Sequence, residues 1–293
     1  MINMKYISIL ILISLLLIIP VLSCKRQSKP DVNILFLHHS TGNLIWRGTT
    51  ELSLLTRAAR KLNDRLGDII GKQPELPVMF NDYKKSGGKN YLIEELSFPK
   101  AEPYGWKNYP YDYFNIWVKH SGSVKYMEEP TLEILTQQYQ VVIFKHCFPV
   151  CSIEEPTDSA DVNSEKKTIP NYKLQYMALR DKLHEFPETK FIVFTGAARV
   201  KQSISEAEAL RSAEFFSWVK DEWDLQDDNI YIWDLYALQT ENTLYFKDEY
   251  AASPSNSHPN KEFAGKVVKL LFNRIIDVIE NDGTGTNIMG EPR

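Results

Sequence analysis

An α/β fold, with a central parallel sheet covered by helices on both faces, is what this sequence predicts. Short β-branched or aromatic runs bounded by polar residues alternate with amphipathic segments of helical period. The alternation starts at Asp31 and continues almost to the end, with no internal repeat. Strands that alternate with helices argue for βαβ units and a sheet buried on both faces. At 293 residues, 43% hydrophobic and 25% charged, the chain has the composition of a folded globular protein.

Taken in order, the strands are expected at 32–37, 77–80, 141–144 ("VVIF"), 191–194 ("FIVF") and 229–235 ("NIYIWDL"). Helices are expected at 51–66, 131–138, 171–185, 205–223 and 261–280. The last is the clearest, because Phe263, Val267, Leu270, Leu271, Ile275 and Val278 recur at helical spacing. Ser205 with Glu208 has the spacing of a capping box. One domain over residues 31–282 accommodates these elements, and 283–293, the end of "NDGTGTNIMGEPR", reads as a flexible tail. Two irregular stretches are long: 82–130, dense in tyrosine and tryptophan, and the polar, acidic 152–170. Long loops in a compact domain are often functional. The aromatic one is expected to form a satellite core, with stacking on sugar rings or cover over a cleft as the alternative.

Residues 1–23 lie apart from this pattern. Lys5 is followed by the apolar Ile7–Leu22 and then by "VLSC" at Val21–Cys24. A positive start, an apolar stretch and small residues before a cleavage point describe an export signal. On length alone the stretch could cross a bilayer, which takes roughly 18 apolar residues; Pro20 and the Ser23-Cys24 ending favour cleavage. The tetrapeptide resembles a bacterial lipobox, which implies a lipid on Cys24, a short basic tether over 24–30, and a membrane-anchored lipoprotein of the cell envelope. Loss of residues 1–23 removes one lysine and no acid, taking the formal charge from −4 to −5. A mildly acidic chain with no dense Lys/Arg run gives no electrostatic case for a nucleic-acid partner. With Cys24 lipidated, Cys147 and Cys151 remain, as a possible disulfide or as two free thiols.

The candidate chemistry begins at "NILFLHHSTGNLIW", Asn33–Trp46, where an apolar strand stops at His38, His39 and Ser40 and Gly42-Asn43 reads as a turn. A serine beyond a strand's carboxyl end presents its Oγ to the crevice in which α/β sheets bind ligands. Backbone N–H groups of the next turn, or of a helix N-terminus, are available there for an oxyanion. The nucleophile needs a base. His39 directly precedes Ser40 and is badly placed for that task. His258, in "SPSNSHPN" just before the last helix, is the better candidate, because its loop falls on the same edge of the sheet.

"ILFLHHSTG", followed more than 200 residues later by "SHPN", resembles the SGNH/GDSL hydrolase superfamily. The resemblance implies a three-layer, flavodoxin-like α/β/α architecture and a serine esterase or acylhydrolase needing no cofactor. It implies Ser40 as nucleophile, with its N–H as one oxyanion donor, and His258 as base. "VVIFKHCFP" takes the place of the block after a central strand, so Lys145 stands for its glycine and Cys147 for its oxyanion asparagine. Gly87 or Gly88 stands for the second-block glycine, and Asn43 or Lys145 for a further donor. His39 and His38 would shape the edge of the site. The family's aspartate is replaced by Ser255, with Asn256 next, and neither is an anion; Asp248 or Glu249 from the same loop could substitute. The implied substrate is a small-molecule or glycan ester. A binding protein that keeps the scaffold with a degraded triad is the alternative.

Other chemistries fit less well. Gly-x-Ser-x-Gly is absent, since His38 occupies the first glycine position. A zinc site built from His38 or His39 with His258 and Asp234 has no HExxH or other spaced ligand set behind it. His120, His146 and His184 carry no pattern and are expected at the surface or in satisfied loop positions.

Overall fold

The computed structural model of the chain describes residues 29–51, 72–100, 102, 104 and 108–293. The export signal, Cys24 and the helix expected over 51–66, apart from Glu51, lie outside the described residues. No helix among the described residues is long and apolar enough to cross a membrane.

In the unit Asp31–Arg293 five parallel strands form one sheet. They are β1 (Val32–His38), β2 (Tyr91–Ser97), β3 (Val141–Phe144), β4 (Lys190–Phe194) and β5 (Ile230–Trp233), in the order β2-β1-β3-β4-β5. That is the flavodoxin-like order of doubly wound sheets. β6 (Ala251–Ser253) and β7 (Asn256–Pro259) form a separate antiparallel hairpin. The helices are α1 (Ser40–Arg47), α2 (Glu75–Lys85), α3 (Pro110–Tyr113, continued by the wider π-wound Phe114–Lys119) and α4 (Leu132–Leu135). They continue with α5 (Ile169–His184), α6 (Glu206–Trp218, continued by the π-wound Val219–Trp223), α7 (Leu235–Thr240) and α8 (Lys261–Asn281). The Ser205–Glu208 capping box opens α6.

The register separates the two faces of the sheet. Leu37 pairs with Phe144 and Phe144 with Val193, so Phe36 and Phe194 point to the opposite face from Phe144. On the first face Phe36 meets Phe194 and Trp46 of α1, and α1, α2 and α8 pack on one another. On the second, Phe144 meets Tyr113 and Trp117 of α3, which packs with α5. The layers are therefore helix, sheet, helix, as the sequence predicts. Phe98, Tyr113 and Trp117 of the aromatic stretch are fully buried against each other, which makes that part of it core.

Two expectations are corrected. Residues 77–80 belong to α2, whose Leu76 and Phe80 are buried one helical turn apart; four apolar residues do not distinguish a strand from a helix. The edge strand is instead Tyr91–Ser97. The tail 283–293 is held in place. Asp277 accepts from Gly285 N at 2.8 Å and from Thr286 Oγ1 at 2.7 Å, and Arg274 Nη1 donates to Gly283 O at 2.8 Å. Trp233 Nε1 donates to Met289 O at 3.0 Å, and Asp234 N to Ile288 O at 2.8 Å. Its Gly- and Asn-rich composition is that of a loop, but its backbone satisfies two buried charged side chains.

Candidate active site at the carboxyl edge of the sheet

From β1 the chain crosses to β2 on one side and then to β3 on the other. The loops after β1 and β3 thus diverge and leave the crevice in which such sheets bind ligands. Residues 39–40 form one lip and 145–147 the other. Ser40 is half-buried and is the first residue of α1 rather than part of a turn. Gly42 and Asn43 are helical. Gly42 lies so close to the strand end that a Cβ would meet His38 Cβ at 2.3 Å and Lys145 Cδ at 3.2 Å. No side chain caps this helix N-terminus.

His258 lies in β7, and β7 packs against α1. Its Nδ1 is 2.7 Å from Asn256 Oδ1, which also accepts the His258 backbone N–H at 3.1 Å. An amide oxygen only accepts, so Nδ1 carries the proton and Nε2 keeps its lone pair. Phe148 meets the ring edge-on, with centroids 4.9 Å apart. Half-burial and the field of Lys145 hold the imidazole below the ordinary histidine value. Ser40 Oγ and His258 are not hydrogen-bonded. Asp248 and Glu249 do not reach the ring, and Glu249 contributes only its backbone carbonyl, to Asn260. The group that fixes the ring orientation is the Asn256 amide.

Lys145 is fully buried. By strand parity its side chain falls on the face covered by α1, in agreement with its approach to Gly42. Nζ donates to His146 O at 2.6 Å and lies 3.9 Å from Cys147 Sγ. Burial holds the amine below the ordinary lysine value, against the pull of the Cys147 and Cys151 thiols.

The remaining expected residues are not all brought to the site. Gly88 and Gly87 precede β2 and so sit at the amino edge of the sheet, opposite Ser40, away from the place the resemblance implies. The Asn43 amide is turned to β2, where it donates to Glu95 Oε2 at 3.3 Å, and its backbone N–H donates to His39 O. Glu95 Oε2 is also 3.0 Å from His38 Nε2, at an angle unsuited to a hydrogen bond, and the His38–Asn43–Glu95 group ties α1 to β2. His39 is buried and donates from Nε2 to Pro99 O at 2.6 Å. Burial is the first reason its pKa is lowered.

Cys147 and Cys151 are separate buried thiols rather than a disulfide. Cys151 Sγ donates to Ala197 O at 2.9 Å, and burial pushes the thiol up to about 12. Cys147 N donates to the carbonyl of Asn108, a residue at φ 37° whose side chain donates to Phe98 O. Asn108 lies in no motif, and Phe148 and Gly42 lie inside the quoted blocks without a role assigned to them there. The one available signal was a glycine inside what proved to be a helix, where only a close approach explains it.

Asp234 accepts from Thr195 Oγ1 at 2.6 Å and pairs with Lys220 at 2.9 Å, so it is not free to complete a zinc site. Among the described residues no group of three His, Cys, Asp or Glu is arranged to hold a metal ion. His120 stacks on Tyr126, and His184 bonds Asp228. His146 is not at the surface. It is fully buried with Nε2 2.8 Å from Tyr176 Oη, and burial followed by Lys145 lowers its pKa to about 3. The two long loops meet where Tyr109 Oη donates to Glu165 O at 3.2 Å, beside a pocket of about 310 Å³ lined by Tyr109, Tyr111, Asp112, Asn115 and Tyr126.

Fold and site together define a three-layer α/β protein with a serine and a histidine on one edge of a flavodoxin-ordered sheet. No family model matches the sequence, and no curated protein matches it. Among solved structures it is similar to a carbohydrate esterase, at 12% identity over 86% of this chain and 70% of that one, with a TM-score of 0.41. It is also similar to a gut microbial diltiazem-metabolizing enzyme, at 9% identity and a TM-score of 0.43. That likeness covers 82% of this chain and 46% of the other, so the chain spans about half the length of that enzyme.

Proposed function

We propose that the protein is a cell-envelope lipoprotein that hydrolyses or transfers ester-linked acyl groups with Ser40 as nucleophile and His258 as base. The observation that carries this reading is the His258 ring. Asn256 holds it in the tautomer a general base requires, on a hairpin packed against the helix that Ser40 begins. Ser40 Oγ attacks the acyl carbon while its proton passes to His258 Nε2, and the carbonyl π pair moves onto oxygen. The open N–H groups of the first turn of α1 face that charge. Collapse expels the alcohol, which takes the proton from Nε2. Water, or an acceptor hydroxyl in a transferase, then releases the acyl group by the same steps. A small acyl ester on a glycan is the proposed substrate; the chain also carries a tyrosine-lined pocket of the kind that stacks on sugar rings. The envelope address rests on Lys5, the apolar Ile7–Leu22 and Cys24.

The test is labelling of the protein with a fluorophosphonate, wild type beside Ser40→Ala and His258→Ala. Labelling in the wild type that is lost in both variants is expected. A well-folded wild type that does not label would replace this reading with a non-catalytic binding lipoprotein, the reading favoured by the absence of a carboxylate at His258.

A further inference from the structure

Ser40 begins its helix above a lysine that has no counter-ion. An ammonium buried without a carboxylate is strongly disfavoured, yet no carboxylate of the described residues pairs with Lys145. Its stem runs against the first turn of α1, 3.2 Å from where a Gly42 Cβ would stand. That turn ends in uncapped N–H groups, the positive end of the helix dipole. Lysines normally sit at the other end of a helix. Thr41, next to the serine, adds a buried hydroxyl with no partner. Two positive features and an unused hydroxyl lie around the first turn of α1, and the nearby Glu95 carboxylate is turned to Asn43 and His38 rather than to Lys145.

We propose that Lys145 provides, through space, the positive charge that stabilises the oxyanion formed at Ser40. The inference rests on Ser40 being the nucleophile. Lys145 is fully buried, so it is a positioning residue that acts by its field and touches no substrate. In a Ser-His-Asp triad the carboxylate stabilises the imidazolium that forms with the oxyanion. Asn256 orients the ring here but lends it no charge, and Lys145 opposes a positive ring. The compensation therefore falls on the oxyanion, from the other side of the serine. The hairpin carries no second ionisable group. α1 offers Arg47, turned to Asn43 O, and α8 begins with Lys261, paired with Glu51, and Glu262.

The test replaces Lys145 with methionine, which keeps the length of the stem and removes the charge; Lys145→Gln is the second variant should the first not fold. Phenylboronic acid, which forms a tetrahedral anion on an activated serine, is the probe. The expected result is about tenfold weaker boronate binding in Lys145→Met, below the 10²–10³ of losing a direct oxyanion donor because the field acts without contact. The His258 ring, followed by NMR in a Ser40→Ala background, is expected to titrate at higher pH once the cation is gone, which a merely structural role would not cause. A wild type that labels with fluorophosphonate while both variants bind boronate as it does overturns the role of Lys145 alone. A wild type that neither labels nor binds boronate overturns the serine reading and this inference with it.

Discussion

The amino edge of the sheet and the Ser40 crevice at its carboxyl edge treat charge in opposite ways. At the amino edge His184 is bonded to Asp228, Lys190 donates to Val278 O and pairs with Asp282, and Asp277 is satisfied by the C-terminal residues. At the carboxyl edge a buried lysine, a half-buried histidine and an unbonded serine share the crevice with no acid between them. Lys182 and Lys145 condense the contrast. Both are buried, but Lys182 reaches Glu133 at 2.7 Å and Glu185 at 2.5 Å. Burial would pull its pKa down, and those two carboxylates outweigh it. For Lys145 burial prevails. Paired charges are ordinary fold chemistry, whereas a perturbed, unpaired group in a crevice marks the place where a structure is arranged for something other than stability.

The same substitution at the two lysines is the strongest test of this contrast. Lys182→Met strands Glu133 and should lower unfolding free energy by about 3 kcal/mol. Lys145→Met removes an uncompensated charge and should raise it by about 1–2 kcal/mol. Urea denaturation of both variants measures the signs, and equal losses would break the comparison. The contrast is sharpened by adding the missing anion. Asn256→Asp supplies a charge to the imidazolium and should raise kcat/KM for an activated ester about tenfold. The acidic limb of the pH profile should move upward with it, since a neighbouring carboxylate favours the charged ring.

The last prediction concerns His146, whose folded pKa of about 3 lies below the usual 6.5. Between those values the unfolded chain takes up a proton that the folded one does not, so stability falls as pH drops through the window. The slope is at most about 1.4 kcal/mol per pH unit. His146→Phe should flatten it, as read from urea midpoints taken across that range.

Much of this was legible in the sequence. β1, β3, β4, β5, α5, α6 and α8 each have a period or a β-branched run long enough to decide their type. The hairpin that carries His258 packs against the helix that Ser40 begins, on the edge where the sequence places both. β2 was missed because Glu94 and Glu95 interrupt its alternation where the sheet edge is half exposed. α1 was hidden by Gly42, whose reason is a steric approach between segments. The burial of Lys145 and the turn of Asn256 onto His258 are properties of packing, which no spacing of residues reports.

The C-terminal clasp has a consequence for how the chain is made. Asp277, Trp233 and the Asp234 amide find their partners in residues 285–289. A ribosome releases those residues after every strand of the sheet. Domains fold as units, beginning during synthesis. Here the strand farthest from the first in the sheet can order its flank only after residues 285–289 have emerged, so that border is completed later than the strands themselves.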